Sequence, residues 1–184
     1  MNNSLEEAKK MFIKYNGSHF FMSREDDYEK YKRYNISKEQ ELIWINEIQQ
    51  KNILEITGGL LDAENIANRF SAILSSLRTH KNIELIPIIF DTIKNLSRIL
   101  DSFSKMRIAE CMLETVRSLS FNKELEKNKR IGEMRVFAVN ILKDVSQNAI
   151  VVDPAYLKIA HLKDEVEESV IVERIQRSLK EWDK

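Results

Sequence analysis

The chain has 184 residues, 43% of them hydrophobic and 32% charged, with 29 basic residues against 29 acidic ones. Four glycines and two prolines stand where average usage would give roughly thirteen and nine, which excludes a turn-rich β fold and most glycine-dependent phosphate loops. Zero net charge, with no long stretch of the chain more than two charges from neutral, excludes a global field that would draw in nucleic acid or an anionic membrane.

In chain order, Ser4 with Glu7 three residues later predicts a capped first helix carrying Leu5, Ala8, Phe12 and Tyr15, stopped by the left-handed pair Asn16-Gly17. An aromatic loop, Phe20-Phe21-Met22, follows. Ser23 with Asp26 then predicts a second helix, with Asp26–Lys30 and Glu29–Arg33 as i,i+4 ion pairs. Ser37 with Gln40 predicts a third helix, which carries Leu42, Ile45, Ile48 and Ile53 to a stop at Thr57-Gly58-Gly59. The segment 1–57 thus reads as three capping helices.

From residue 60 onward the pattern is one of pairs. Asp62 is expected to cap a helix with Ile66, Phe70, Ile73, Leu74 and Leu77, stapled by Leu61 against Ile66. A break at His80-Lys81-Asn82 leads to a second helix with Pro87 in its first turn and apolar positions from Ile86 to Leu100. The next helix spans about 102–119 and its partner begins near 130, with no element assigned to the stretch Ser120 to Lys129 between them. Asp153-Pro154 is a cap followed by proline at the first helical position, with Val152 and Leu157 as its staple. The last helix carries Val166, Val170, Ile171, Ile175, Leu179 and Trp182. Every strong periodicity is close to 3.6, so helix is expected over more than two thirds of the chain, with no sheet.

First helices near 62, 103 and 154 and second helices near 83, 130 and 166 recur at the spacing of two-helix repeats. The segment Met134-Arg-Val-Phe-Ala-Val-Asn-Ile-Leu-Lys-Asp-Val145 resembles the second helix of a HEAT repeat, with Arg135 early, Ala138 mid-face, the pair Ile141-Leu142, and Lys143-Asp144 as the polar stop. The resemblance covers about residues 60–184. It implies an all-α single domain over 1–184, a short right-handed stack of about three antiparallel helix pairs, and a protein-binding scaffold rather than an enzyme. An irregular helical bundle is the alternative. One helix pair cannot bury its apolar stripe alone, so such stacks also need polar end caps.

Chemistry-bearing motifs are sparse. No Walker loop, dinucleotide fingerprint, HExxH, CxxC or GxSxG run occurs, and no catalytic, cofactor-binding or metal-ligating residue is assigned. His161 and Glu165 stand at i,i+4, but two ligands without a second pair do not make a metal site. Cys111 lies in an apolar helical stretch and reads as a small buried hydrophobe. A single cysteine, and an opening MNNSLEEAKK without an apolar signal core, lead to the expectation of a cytoplasmic protein that does not enter membranes. Some alkylpurine DNA glycosylases are built from HEAT-like repeats and need a basic concave face. Here Lys123, Lys127, Lys129, Arg130 and Arg135 alternate with Glu124, Glu126 and Glu133, so no nucleic-acid partner is expected.

The segment Tyr15 to Tyr34 exceeds what a scaffold requires. Tyr28, Tyr31 and Tyr34 repeat every three residues, and His19, Phe20, Phe21 and Arg24 precede them. Tyrosine, arginine and phenylalanine are enriched where proteins meet. These seven residues are the candidate protein-binding surface, against the alternative that they only cap the helical stack. Tyr31 is expected to be the most buried of the three tyrosines. The expected partner is another protein, with a homo-oligomer left open. An adaptor, a toxin-neutralising immunity protein and a repair glycosylase are the functions weighed.

Overall fold

Helix formation follows from the 3.6-residue periodicity. A computed structural model, which describes residues 2–58, 63–123, 125 and 127–182, is 77% helix, with ten α-helices and no strand among the described residues. The chain is all-α. It divides into two compact units, the first ending at Leu54 and the second beginning at Glu55.

The first unit contains α1 (Asn2–Lys14), α2 (His19–Arg24), α3 (Tyr28–Lys32) and most of α4 (Lys38–Thr57). Ala8 and Phe12 on one face of α1, with Tyr15 just past its end, meet Met22, Tyr31, Trp44, Ile45 and Ile48 in a single core. Phe12 is its centre. Its ring centroid lies 5.7 Å from Tyr31 and 5.6 Å from Trp44, spacings at which aromatic pairs attract. Asn16 and Gly17 take φ of 52° and 77°, the left-handed stop their types predict. A Cβ on Gly17 would also stand 3.2 Å from Ile45 Cγ1 and 3.3 Å from Phe12 Cε1.

Three expectations are corrected here. Helix α1 begins at Asn2, so Ser4 lies inside it instead of capping it. Phe20, Phe21 and Met22 are helical, not loop. Ser18 caps α2 through Phe21 N–H at 3.3 Å, and Ser23 falls within that helix. Asp26 has φ of 61° and turns the chain between α2 and α3, so it pairs with nothing at i,i+4, and Glu29 takes Lys32 instead of Arg33. The Ser37 cap forms as expected, with Gln40 N–H donating to Ser37 Oγ at 3.2 Å.

The second unit holds α5 (Ala63–His80), a 3₁₀ turn (Ile83–Leu85), α6 (Ile86–Leu96), α7 (Ser102–Ser120), α8 (Lys129–Gln147), α9 (Pro154–Leu157), a second 3₁₀ turn (Ala160–Leu162) and α10 (Glu168–Trp182). Residues Leu61 and Asp62, the expected staple and cap of α5, lie outside the described residues. Helix α7 is central, with Phe103, Met106, Ala109, Met112, Leu113 and Val116 among its buried side chains. Polar contacts fix the helix directions. Arg107 donates to Asn68, and Arg78 pairs with Glu114, so α5 and α7 run parallel. Lys105 faces Asp144, so α8 runs antiparallel to α7. Glu84 meets Arg130 and Phe90 meets Phe137, so α6 runs with α8.

Beyond residue 148 the structure departs from two full helices. Helix α9 is a single turn, capped by Asp153 through Ala155 N–H at 2.8 Å. Leu157 is 58% exposed, so it does not staple Val152. Helix α10 pairs Arg174 with Glu110 and Glu181 with Arg117, which aligns it parallel to α7. The stretch 149–153 is fastened to the start of α7. Ser102 N–H donates to Val151 O at 2.7 Å, and Asp153 N–H donates to Asp101 Oδ2 at 2.7 Å. Asp101 Oδ1 also caps α7 through Ser104 N–H.

Candidate protein-binding surface

The short helix α2 is held at three points. Ser18 satisfies one of its first N–H groups, Met22 is fully buried in the first unit's core, and the N–H groups of Glu25 and Asp26 return to the Phe21 and Ser23 carbonyls. Six residues are too few to be helical on propensity alone, so burial of Met22 keeps α2 in place. The opposite face is left in solvent. Phe20 is 67% exposed, Phe21 51%, their rings lie edge to face at 5.5 Å, and Arg24 is exposed one turn on. Two aromatic faces beside one guanidinium are a surface of large apolar area with a polar handle.

The remaining four candidates turn inward to different degrees. Tyr31 is 3% exposed and donates its hydroxyl to Glu41 Oε1 at 2.8 Å. His19 Nε2 lies 2.9 Å from the same oxygen, and its ring stands 5.1 Å from Tyr28 and 5.6 Å from Tyr31. Burial, reinforced by the Glu41 carboxylate, raises the Tyr31 phenol above its ordinary range. Tyr28 is half-buried under Lys32, whose Nζ is 4.8 Å from its ring centroid, and Tyr34 donates to Glu7 at 3.2 Å. The structure therefore brings His19, Tyr28 and Tyr31 together as a support and sets Phe20, Phe21 and Arg24 apart as the exposed face.

Two acidic residues central to this arrangement escape sequence reading. Glu41 joins His19 to Tyr31 from across the fold, and no local spacing marks it. Asp27 does not cap α3; it accepts from the Tyr15 hydroxyl and from Lys14 Nζ. Those two donors hold its carboxyl below the usual carboxylate range. The Tyr15 and Asp27 hydrogen bonds in turn push Lys14 up to about 12.

Elsewhere the chemistry-bearing residues are dispersed. His161 sits in a 3₁₀ turn and Glu165 beyond it, outside any α-helix, and Glu165 pairs with Arg174 at 2.9 Å. Cys111 is half-buried, and burial pushes its thiol up, away from the thiolate that a nucleophile requires. Among the described residues no three His, Cys, Asp or Glu side chains converge as a metal site, and no helix is long and apolar enough to cross a membrane. Compared with protein-family models, curated proteins and solved structures, the chain matches none.

Proposed function

We propose that this protein is a non-catalytic helical binding module that engages another protein through the exposed face of α2, with Phe20 and Phe21 as anchors and Arg24 as the polar contact. The observation that carries the reading is a pair of exposed aromatic rings on a helix locked from behind by Met22. Rigid aromatics lose little conformational freedom on docking, and such residues dominate interface energetics. The matching partner offers an apolar recess with a carboxylate at its edge. In the second unit, α5 with α7 and α6 with α8 form two parallel rows of opposite direction, which supports a HEAT-like stacking of those two pairs. A single, half-buried thiol suits a reducing compartment such as the cytoplasm.

Side-by-side capture from cell extract with the wild-type chain and the Phe20→Ser/Phe21→Ser variant tests this, followed by titration of the purified partner. The variant should weaken binding by about 1–4 kcal/mol and leave the melting curve unchanged. Equal binding by both proteins, or a variant that no longer folds, sinks the assignment.

A further inference from the structure

We propose that the groove formed by α6, α7 and α8 binds a small amphiphilic anion: a carboxylate on an aliphatic chain of roughly ten carbons, with Lys94 taking the head group. The groove encloses about 340 Å³. That is within the ordinary range for small-molecule sites and, at about 30 Å³ per water-sized group, holds roughly eleven such groups. Its floor is apolar: Ile93 from α6, Ile108 from α7, and Phe137 and Ile141 from α8. Its rim is cationic on balance. Lys94 and Lys105 stand there against one carboxylate, Asp144.

The rim is also asymmetric. Asp144 lies 3.5 Å from Lys105 Nζ, so those two charges offset each other. Lys94 has no carboxylate within ion-pair reach among the described residues. Its Nζ is held 5.7 Å from the centroid of the Phe137 ring, above the apolar wall. An uncompensated ammonium over a greasy trough selects a ligand with one negative end and one apolar end. A cationic amphiphile of the same length would set like charge against Lys94. A neutral tail would gain nothing from the ammonium, which is exposed and stays hydrated. This site lies in the second unit and is independent of the α2 face.

Decanoate is the probe, with decyltrimethylammonium and acetate as controls, read by amide shifts in two-dimensional NMR on the full chain. Decanoate should bind one to one with a dissociation constant of about 0.01–1 mM. It should shift the amides around Ile93, Phe137 and Ile141, whereas the cation binds at least tenfold more weakly and acetate causes no shift there. Lys94→Gln, an exposed substitution, should weaken decanoate about fivefold or more. Asn140→Phe, which places a ring in the mouth from an exposed position, should abolish the shifts. The proposal is overturned by equal affinity for the cation, by shifts confined to other helices, by absence of binding up to several millimolar, or by Lys94→Gln binding as the wild type does.

Discussion

Glu41 Oε1 takes hydrogen bonds from two side chains at once, the Tyr31 hydroxyl and the His19 imidazole. Removing one donor therefore does not leave the carboxylate without a partner. Tyr31→Phe should cost only about 1 kcal/mol. Tyr31→Ala empties the space beside Phe12 and should cost about 3–5 kcal/mol. Tyr28 and Tyr34 are half-buried, so their alanine variants should each cost less. Denaturant titrations of the four variants check the order, which fails if either outer tyrosine is the costliest. Asp27 gives a pH signature. Its carboxyl is depressed in the folded chain by the Tyr15 hydroxyl and then by Lys14. The unfolded chain thus binds that proton more readily, so the contribution is complete above the ordinary value of about 3.9 and is lost as pH falls through the folded one. Denaturation midpoints at neutral pH and near pH 3 should show the wild type losing more than Asp27→Asn. An identical loss in both would remove Asp27 from the acid response.

At the scale of elements, Asp101 ties two segments with one carboxylate. Oδ1 caps α7 through Ser104, while Oδ2 receives Asp153 N–H from the strap that leads to α9. Asp101→Ala should lose both and destabilise the second unit by about 2–3 kcal/mol. Asp101→Asn keeps a capping oxygen but turns an amide donor toward the Asp153 N–H, so its cost should fall between alanine and wild type. Thermal melts distinguish them; equal losses would mean that the cap contributes nothing. The helices whose signals are local were legible in sequence: Asn16-Gly17, Ser37 with Gln40 and Asp153-Pro154 stand where side-chain chemistry puts them, and the break at His80-Lys81-Asn82 falls where expected, with Lys81 itself at φ 57°. What was not legible is held by distant partners. Helix α2 exists because Met22 reaches the core, and its cap has phenylalanine, not an acid, at the third position. Asp26 looked helical by its charge spacing, yet the turn into α3 needs a left-handed residue, a role aspartate tolerates better than most. Likewise, the seven candidate residues count as one surface in sequence, a loop followed by a tyrosine row, and burial divides them. The i,i+3 tyrosine row faces inward at Tyr31, and the α2 face points out.

For the whole molecule, the balance of 29 basic and 29 acidic residues leaves open whether cations gather locally. In the structure many of them face acids at close range. Arg130 meets Glu84, Lys129 meets Glu133, Arg117 meets Glu181, and Arg174 is shared by Glu110 and Glu165. The two former residues belong to the most basic segment of the sequence, where a phosphate-binding stripe would have to form. A phosphate recruiting either side chain must displace a carboxylate already in place, and that carboxylate then stands near the duplex as a like charge. Duplex affinity grows by counterion release only when cations are available to replace condensed ions, with the logarithm of the constant falling by about 0.9 per phosphate contact and decade of salt. With Lys129 and Arg130 already paired in the most basic segment, the slope should be shallow and the affinity weak. Fluorescence anisotropy with a short labelled duplex should show at most weak binding at low salt and none at physiological salt. A sub-micromolar complex at physiological salt would mean that the pairs open onto DNA, and it would displace the protein-binding proposal in favour of a nucleic-acid partner.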